Sequence, residues 1–167
     1  MYQWATDLFP IHRSLTGDGV RQTLRYLQQL LPNLNVHEVP SGTKAFDWVV
    51  PKEWRFRYAR LQEMIGVRGE DVDLGKSNLR VVQYSTPFMG AVSREELDQH
   101  LHSLPDQPDA IPYVTSYYKE DWGLCMTQRQ RDALKGERYF VDIGTDLFDG
   151  HLTYGELVIP GKEPTEV

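Results

Sequence analysis

The chain has 167 residues, 40% of them hydrophobic and 25% charged, enough for one core of ordinary size or for one and part of another. Its formal charge of −6, with Lys and Arg scattered, argues against a phosphate-backbone footprint, so no nucleic-acid partner is expected. Cys125 is the only cysteine, which excludes an internal disulfide and a four-cysteine zinc site, and no run reaches the length of a membrane span.

The first residues carry Asp7 and lack an apolar h-region, so neither a signal peptide nor a membrane partner is expected, and the expected location is cytoplasmic. Residues 2–9 read as a short helix closed by Pro10, and residues 13–19, RSLTGDG, as a loop of turn and cap chemistry. Val20, Leu24, Leu27 and Leu31 recur at helical spacing; Thr16 or Asp18 is placed to cap that helix, and Pro32 to stop it. Residues 34–39 alternate as a strand ending at Pro40, residues 41–43 turn, and residues 46–51 read as a second strand. Residues 54–65 fit both periods and are read as a strand, with a turn around 66–69. Residues 79–84 are β-rich.

Ser93 and Glu96 form a capping box that opens a helix through Leu97 and Leu101, closed at Leu104-Pro105. A Pro-punctuated stretch, 105–112, precedes the tyrosines of 113–118. Thr127 and Gln130 resemble a second capping box, leading a helix to Leu134 and a stop at Gly136. Residues 138–143 and 152–159 read as two strands, with Asp149-Gly150 as a hairpin signal. A mixed α/β chain with an inserted β-rich module fits this order; regular βαβ winding does not.

Chemistry-bearing residues are few. His100 and His102 share a face on a strand, but on the predicted helix they diverge by about 200° and read as surface histidines. Asp142, Asp146 and Asp149 match no EF-hand spacing. Asp-Ile-Gly-Thr at 142–145 is similar to the phosphate-binding hairpin of sugar kinases and actin, but no second phosphate loop follows. Ser14 and Ser116 lie in no nucleophile elbow. Tyr117, Tyr118 and Trp122 suit a partly wet pocket wall as well as a core edge. Arg13, before a helix N-terminus, suits a carboxylate or phosphate, or a structural acid such as Asp18.

Several long stretches resemble the aminopeptidase-like proteins, distant relatives of the di-zinc aminopeptidases that are often encoded among surface-polysaccharide genes. They are LFPIHRSLTGDGVR (8–21), EVPSGT (38–43), FDWVVPKEW (46–54), HLHSLP (100–105), PDAIPYVTSYY (108–118), WGLC (122–125) and DGHLTYGE (149–156). Residues 54–75 depart most from the pattern, and His12 stands where a small residue or cysteine is expected. The resemblance implies the start of a zinc-aminopeptidase-like mixed sheet, formed by residues 1–40 and 136–167, interrupted by an inserted β-rich domain over 41–135. It further implies a parent that is a zinc-dependent hydrolase of amide or peptide bonds. In the family the first metal ligand follows the strand after the 138–159 hairpin, so the chain is expected to be truncated before its metal site and inactive alone. No catalytic or metal-ligating residue is therefore assigned and no cofactor is expected here. Arg13, Tyr117, Tyr118 and Trp122 are the substrate-pocket candidates. The alternative is a non-catalytic module that binds sugar or peptide or serves assembly. An unpaired edge on the 138–159 hairpin is expected to promote self-association.

Overall fold

The computed structural model describes residues 1–65, 68–71 and 79–162. The chain is mixed α/β and divides into two compact units: residues 1–53 with 148–167, and residues 54–147. Ser41 thus falls inside unit 1 and Lys135 inside unit 2, because the chain passes between units along two strands rather than at those turns.

Unit 1 begins with helix α1 (Tyr2–Leu8) and helix α2 (Asp18–Leu30). Leu24 is the buried anchor of the predicted apolar stripe, and the helix ends at Leu30, with Leu31 as its cap ahead of Pro32. Neither Thr16 nor Asp18 caps it. Gly17 holds the N-cap at φ 95, a backbone setting a side chain would resist, while Asp18 already lies in the first turn and pairs with Arg21 at 2.8 Å. Strand β1 (Asn35–Pro40) pairs antiparallel with the last strand, β11 (His151–Glu156), from Asn35↔Glu156 to Pro40↔His151. One face of this ribbon meets α2: a Cβ on Gly155 would press on Leu24 and Leu34. The predicted 46–51 strand shrinks to β3 (Trp48–Val49), paired with β2 (Lys44–Ala45), and Phe46 forms the turn between them at φ 56.

Glu53 opens strand β4 (Glu53–Ile65) and is 3% exposed, although charged. The guanidinium of Arg21 and the backbone N–H of His151 (3.0 Å) both donate to its carboxylate. Burial pushes this carboxyl upward, but those donors outweigh it and hold the group below the usual carboxylate range. Gly150 lies directly against the same carboxylate, and it is this contact, not a positive φ, that demands glycine there.

Unit 2 carries a four-stranded sheet in the order β5 (Arg68–Asp71), β4, β10 (Arg138–Phe148), β7 (Phe88–Ser93). The ambiguous 54–65 stretch is therefore a strand, and the turn predicted at 66–69 lies partly outside the described residues. Tyr139, Val141, Ile143 and Thr145 alternate inward along β10. The first three join Trp54, Leu61, Val92, Leu97, Leu124 and Met126 around one core, while the buried Thr145 hydroxyl donates to the Ser85 carbonyl. A second sheet orders β6 (Arg80–Val81), β9 (Leu124–Cys125) and β8 (Leu101–His102), with β9 antiparallel to β6 and parallel to β8.

Helix α3 (Arg94–Gln99) starts at Ser93, whose hydroxyl accepts from Glu96, but it ends before Leu101, which is drawn into β8 and is 2% exposed. Helix α4 (Gln128–Ala133) has the full reciprocal box of Thr127 and Gln130. The Asp149-Gly150 hairpin does not form: β10 and β11 follow one another in the chain, yet each pairs in a different sheet.

Candidate functional site

Parallel neighbours need a crossover, and between β8 and β9 it is a loop, residues 103–123, of some 20 residues. Loops of that length in a compact fold are usually functional. This one is held along its course. Asp109 takes the Arg129 guanidinium at 2.6 Å; Gln83 donates its N–H to Val114 (2.9 Å) and accepts from Ser116 (2.8 Å); Thr86 donates to Asp121 (2.9 Å). Two of its three tyrosine side chains nevertheless face outward, Tyr113 at 73% and Tyr118 at 92% exposure.

The segment that grips the loop is a tight turn. The N–H of Ser85 donates to Val82 (3.0 Å), placing Tyr84 third in the turn at φ 64. Glycine or asparagine normally occupies that position, so a buried tyrosine there is an outlier of the kind that concentrates at binding sites. The surroundings fix it. The Ser85 carbonyl accepts from both Trp54 Nε1 (3.0 Å) and Thr145 Oγ1 (2.8 Å), and Ser85 is fully buried. From Trp54 the rings run outward: Trp54 stacks on Tyr84 (6.1 Å between centroids), Tyr117 meets Tyr84 edge-on (5.2 Å), and Tyr118 meets Tyr117 edge-on (4.7 Å). A buried indole is thus linked through two rings to an exposed phenol.

Trp122 lies apart from that series. Phe88 stacks on one side at 4.1 Å and His100 on the other at 4.0 Å, so both ring faces are occupied. His100 Nδ1 is 2.9 Å from the Trp122 carbonyl and 3.3 Å from Asp121 Oδ1. Burial raises the Asp121 carboxyl, but Lys119 and the Trp122 N–H prevail and hold it low. His102 sits in β8, where burial, assisted by Arg131, pushes its imidazole downward. The fourth candidate, Arg13, belongs to unit 1, and its Nη1 donates to the Leu8 carbonyl (2.7 Å), tying the turn after α1.

The remaining motifs resolve structurally. Asp146 pairs with Arg57 at 2.6 Å. The Ser116 hydroxyl lies 3.3 Å from the Gln83 carbonyl rather than beside a base. Cys125 is buried and its thiol is pushed up to about 12, so it stays protonated and unreactive at neutral pH. Among the described residues no three His, Cys, Asp or Glu side chains gather in a metal-holding group. Sequence patterns missed Tyr84 and Trp54 as parts of this site; Trp54 was legible as an aromatic at strand period, while no glycine or asparagine marked the turn at Tyr84.

Residues 53–146, more than half of the chain and nearly all of unit 2, match the family described as a domain of unknown function, DUF2172. The chain belongs to that family. Across its whole length the DUF2172 chain is 45% identical to a protein of Clostridium acetobutylicum provisionally named a polysaccharide biosynthesis protein with aminopeptidase-like domain; it spans 38% of that relative. A crystal structure of a protein provisionally named a peptidase, also from Clostridium acetobutylicum, superposes with a TM-score of 0.77 at 44% identity, over 92% of this chain and 36% of the other. The aminopeptidase-like resemblance of the motifs is thus shown, and the fold is that of a stretch of a longer peptidase-like protein. Among the described residues no helix is long and apolar enough to cross a membrane.

Proposed function

We propose that the chain is the N-terminal part of an aminopeptidase-like, metal-dependent hydrolase of amide or peptide bonds, to which it contributes substrate contacts but not the reactive centre. The observation that carries this reading is the end-to-end match at 45% identity to a relative more than twice as long that is named for an aminopeptidase-like domain. In the longer protein the metal would supply Lewis-acid polarisation and an activated water, from ligands lying outside the described residues. Tyr117 and Tyr118, on a loop pinned at Gln83 and Asp109, are the contacts assigned to substrate; Trp122, stacked with Phe88 and His100, positions that loop, and Arg13 ties the turn after α1 within unit 1. The test is an aminoacyl-amide hydrolysis assay on this chain and on the Clostridium acetobutylicum relative, with and without zinc. Activity is expected only from the relative, abolished by chelation; metal-dependent turnover by the 167-residue chain refutes the assignment.

The exposure of Tyr118 favours a second reading, in which the loop binds a saccharide and does no chemistry. Calorimetric titration with oligosaccharides separates the two. Binding lost in Tyr118→Ala, with no hydrolysis by the longer relative, selects the saccharide reading.

A further inference from the structure

The turn that grips the 103–123 loop is fixed at both ends. Val82 is buried and donates its N–H to the Gly123 carbonyl at 2.9 Å, while the Ser85 carbonyl accepts from Trp54 and Thr145. Between these ends the Ser85 N–H closes the turn on Val82, and of its four residues Tyr84 alone has a positive φ, which makes it a type II turn. A type I turn closes the same hydrogen bond between the same end residues. It differs by roughly half a rotation of the central peptide, here Gln83–Tyr84, and it sets the third residue at an ordinary negative φ. For a tyrosine, type I is the lower in backbone energy.

The loop opposes that relaxation. The oxygen of the central peptide is the Gln83 carbonyl, which accepts the Ser116 N–H at 2.8 Å and has the Thr115 and Ser116 hydroxyls each at 3.3 Å. Rotating the peptide to type I turns this oxygen away from all three donors. Residues 110–120 are themselves lightly seated, since none of them is fully buried. The loop is tied on either side of that stretch, at Asp109 to Arg129 and at Asp121 to Thr86.

We propose that residues 110–120 form a strap that lifts between those two ties, with the Gln83–Tyr84 peptide as its catch. With the strap docked the turn is type II and Tyr84 is strained; with the strap lifted the peptide rotates to type I and Tyr84 relaxes. The strain shifts the docked-to-lifted ratio by roughly five- to thirtyfold toward lifting, so the strap opens that much more readily than one held by an unstrained turn. Lifting carries Tyr117 and Tyr118 together, whereas Trp122, stacked between Phe88 and His100, lies beyond the second tie and stays in place. The catch depends on backbone geometry and not on the hydrolase reading.

The test compares Tyr84→Gly with Tyr84→Ala, which lose the same ring and differ in the cost of a left-handed backbone. Lifting relieves strain in the alanine variant and has none to relieve in the glycine variant. With both variants shown to be folded by circular dichroism, chymotrypsin under native conditions should cut among the tyrosines of 113–118 roughly three- to tenfold faster in Tyr84→Ala. Equal cutting, or faster cutting in Tyr84→Gly, overturns the proposal. Should either variant fail to fold, Ser116→Pro decides, because it removes the N–H donor to Gln83 at a position outside the core. The one-bond Cα–Hα coupling of Tyr84, which distinguishes positive from negative φ, is expected to report a left-handed Tyr84 in the unsubstituted chain and a right-handed one in Ser116→Pro, whose strap is cut faster. A strap that stays protected in Ser116→Pro, or a Tyr84 that keeps its positive φ once the strap is cut faster, overturns the proposal as well.

Discussion

Two aromatic side chains sit at left-handed backbone angles, Phe46 at φ 56 and Tyr84 at φ 64, and their surroundings are opposite. Phe46 is fully exposed at the tip of the β2–β3 turn and gains nothing from packing. Tyr84 is 6% exposed between Trp54 and Tyr117. The same backbone cost, roughly 1–2 kcal/mol, is thus uncompensated in one case and outweighed in the other. Replacing Phe46 by Gly should stabilise the chain by about 0.5 kcal/mol, once the greater freedom of an unfolded glycine is subtracted. Replacing Tyr84 by Gly should destabilise it by about 2–4 kcal/mol, because the lost ring exceeds the relieved strain. Urea denaturation of both variants checks the opposite signs. No sequence pattern announces either position, since both lack the glycine or asparagine that marks such turns.

Among the elements, the two capped helices offer a graded comparison. The Thr127 hydroxyl accepts from Gln130 while the Gln130 side chain accepts from the Thr127 N–H at 2.9 Å. Only the Ser93 half of the other box is made. Thr127→Ala should therefore cost about 1–1.5 kcal/mol and Ser93→Ala about 0.5–1 kcal/mol, read as shifts in the denaturation midpoint. These helix starts were legible because a cap is written in residues three apart. The long strand over 54–65 was legible from the period of Trp54, Phe56 and Tyr58, and α2 from its apolar repeat. Strand pairing was not. Asp149-Gly150 suggests a tight hairpin, but Gly150 answers to the buried Glu53 nearly a hundred positions away, and β11 turns to β1 instead. The short strands β6, β8 and β9 are two residues each, too brief to show a period, so the loop that bridges β8 and β9 appeared only as a run of prolines and tyrosines. The site residues on that run were readable as aromatic; the turn that grips them was not.

At the scale of the whole molecule, the two units have unequal cores. Among the described residues, unit 2 gathers thirteen buried apolar residues in one cluster, all within 54–147. Expressed alone, residues 54–147 should fold and melt cooperatively by circular dichroism; a non-cooperative melt would show that the cluster is insufficient. Unit 1 relies on Leu24, Leu34 and Val50 together with the buried Glu53. Because the folded Glu53 carboxyl titrates below its unfolded value, its contribution is fully present above the ordinary carboxylate range and is lost as pH falls through the depressed value. The unit 1 transition should therefore move to lower temperature on acidification. Glu53→Gln should lower it by the equivalent of about 2–3 kcal/mol at pH 7 and flatten that acid dependence, as differential scanning calorimetry would record.

Cys125 gives the molecule a built-in gauge of its own opening. With the sulfur sealed in the larger core and fully protonated, a fluorogenic maleimide should remain dark on the native chain at neutral pH. Each molecule that lights up has first breached that core, so the labelling rate, followed through a gentle denaturant series, counts excursions that bulk spectroscopy averages away.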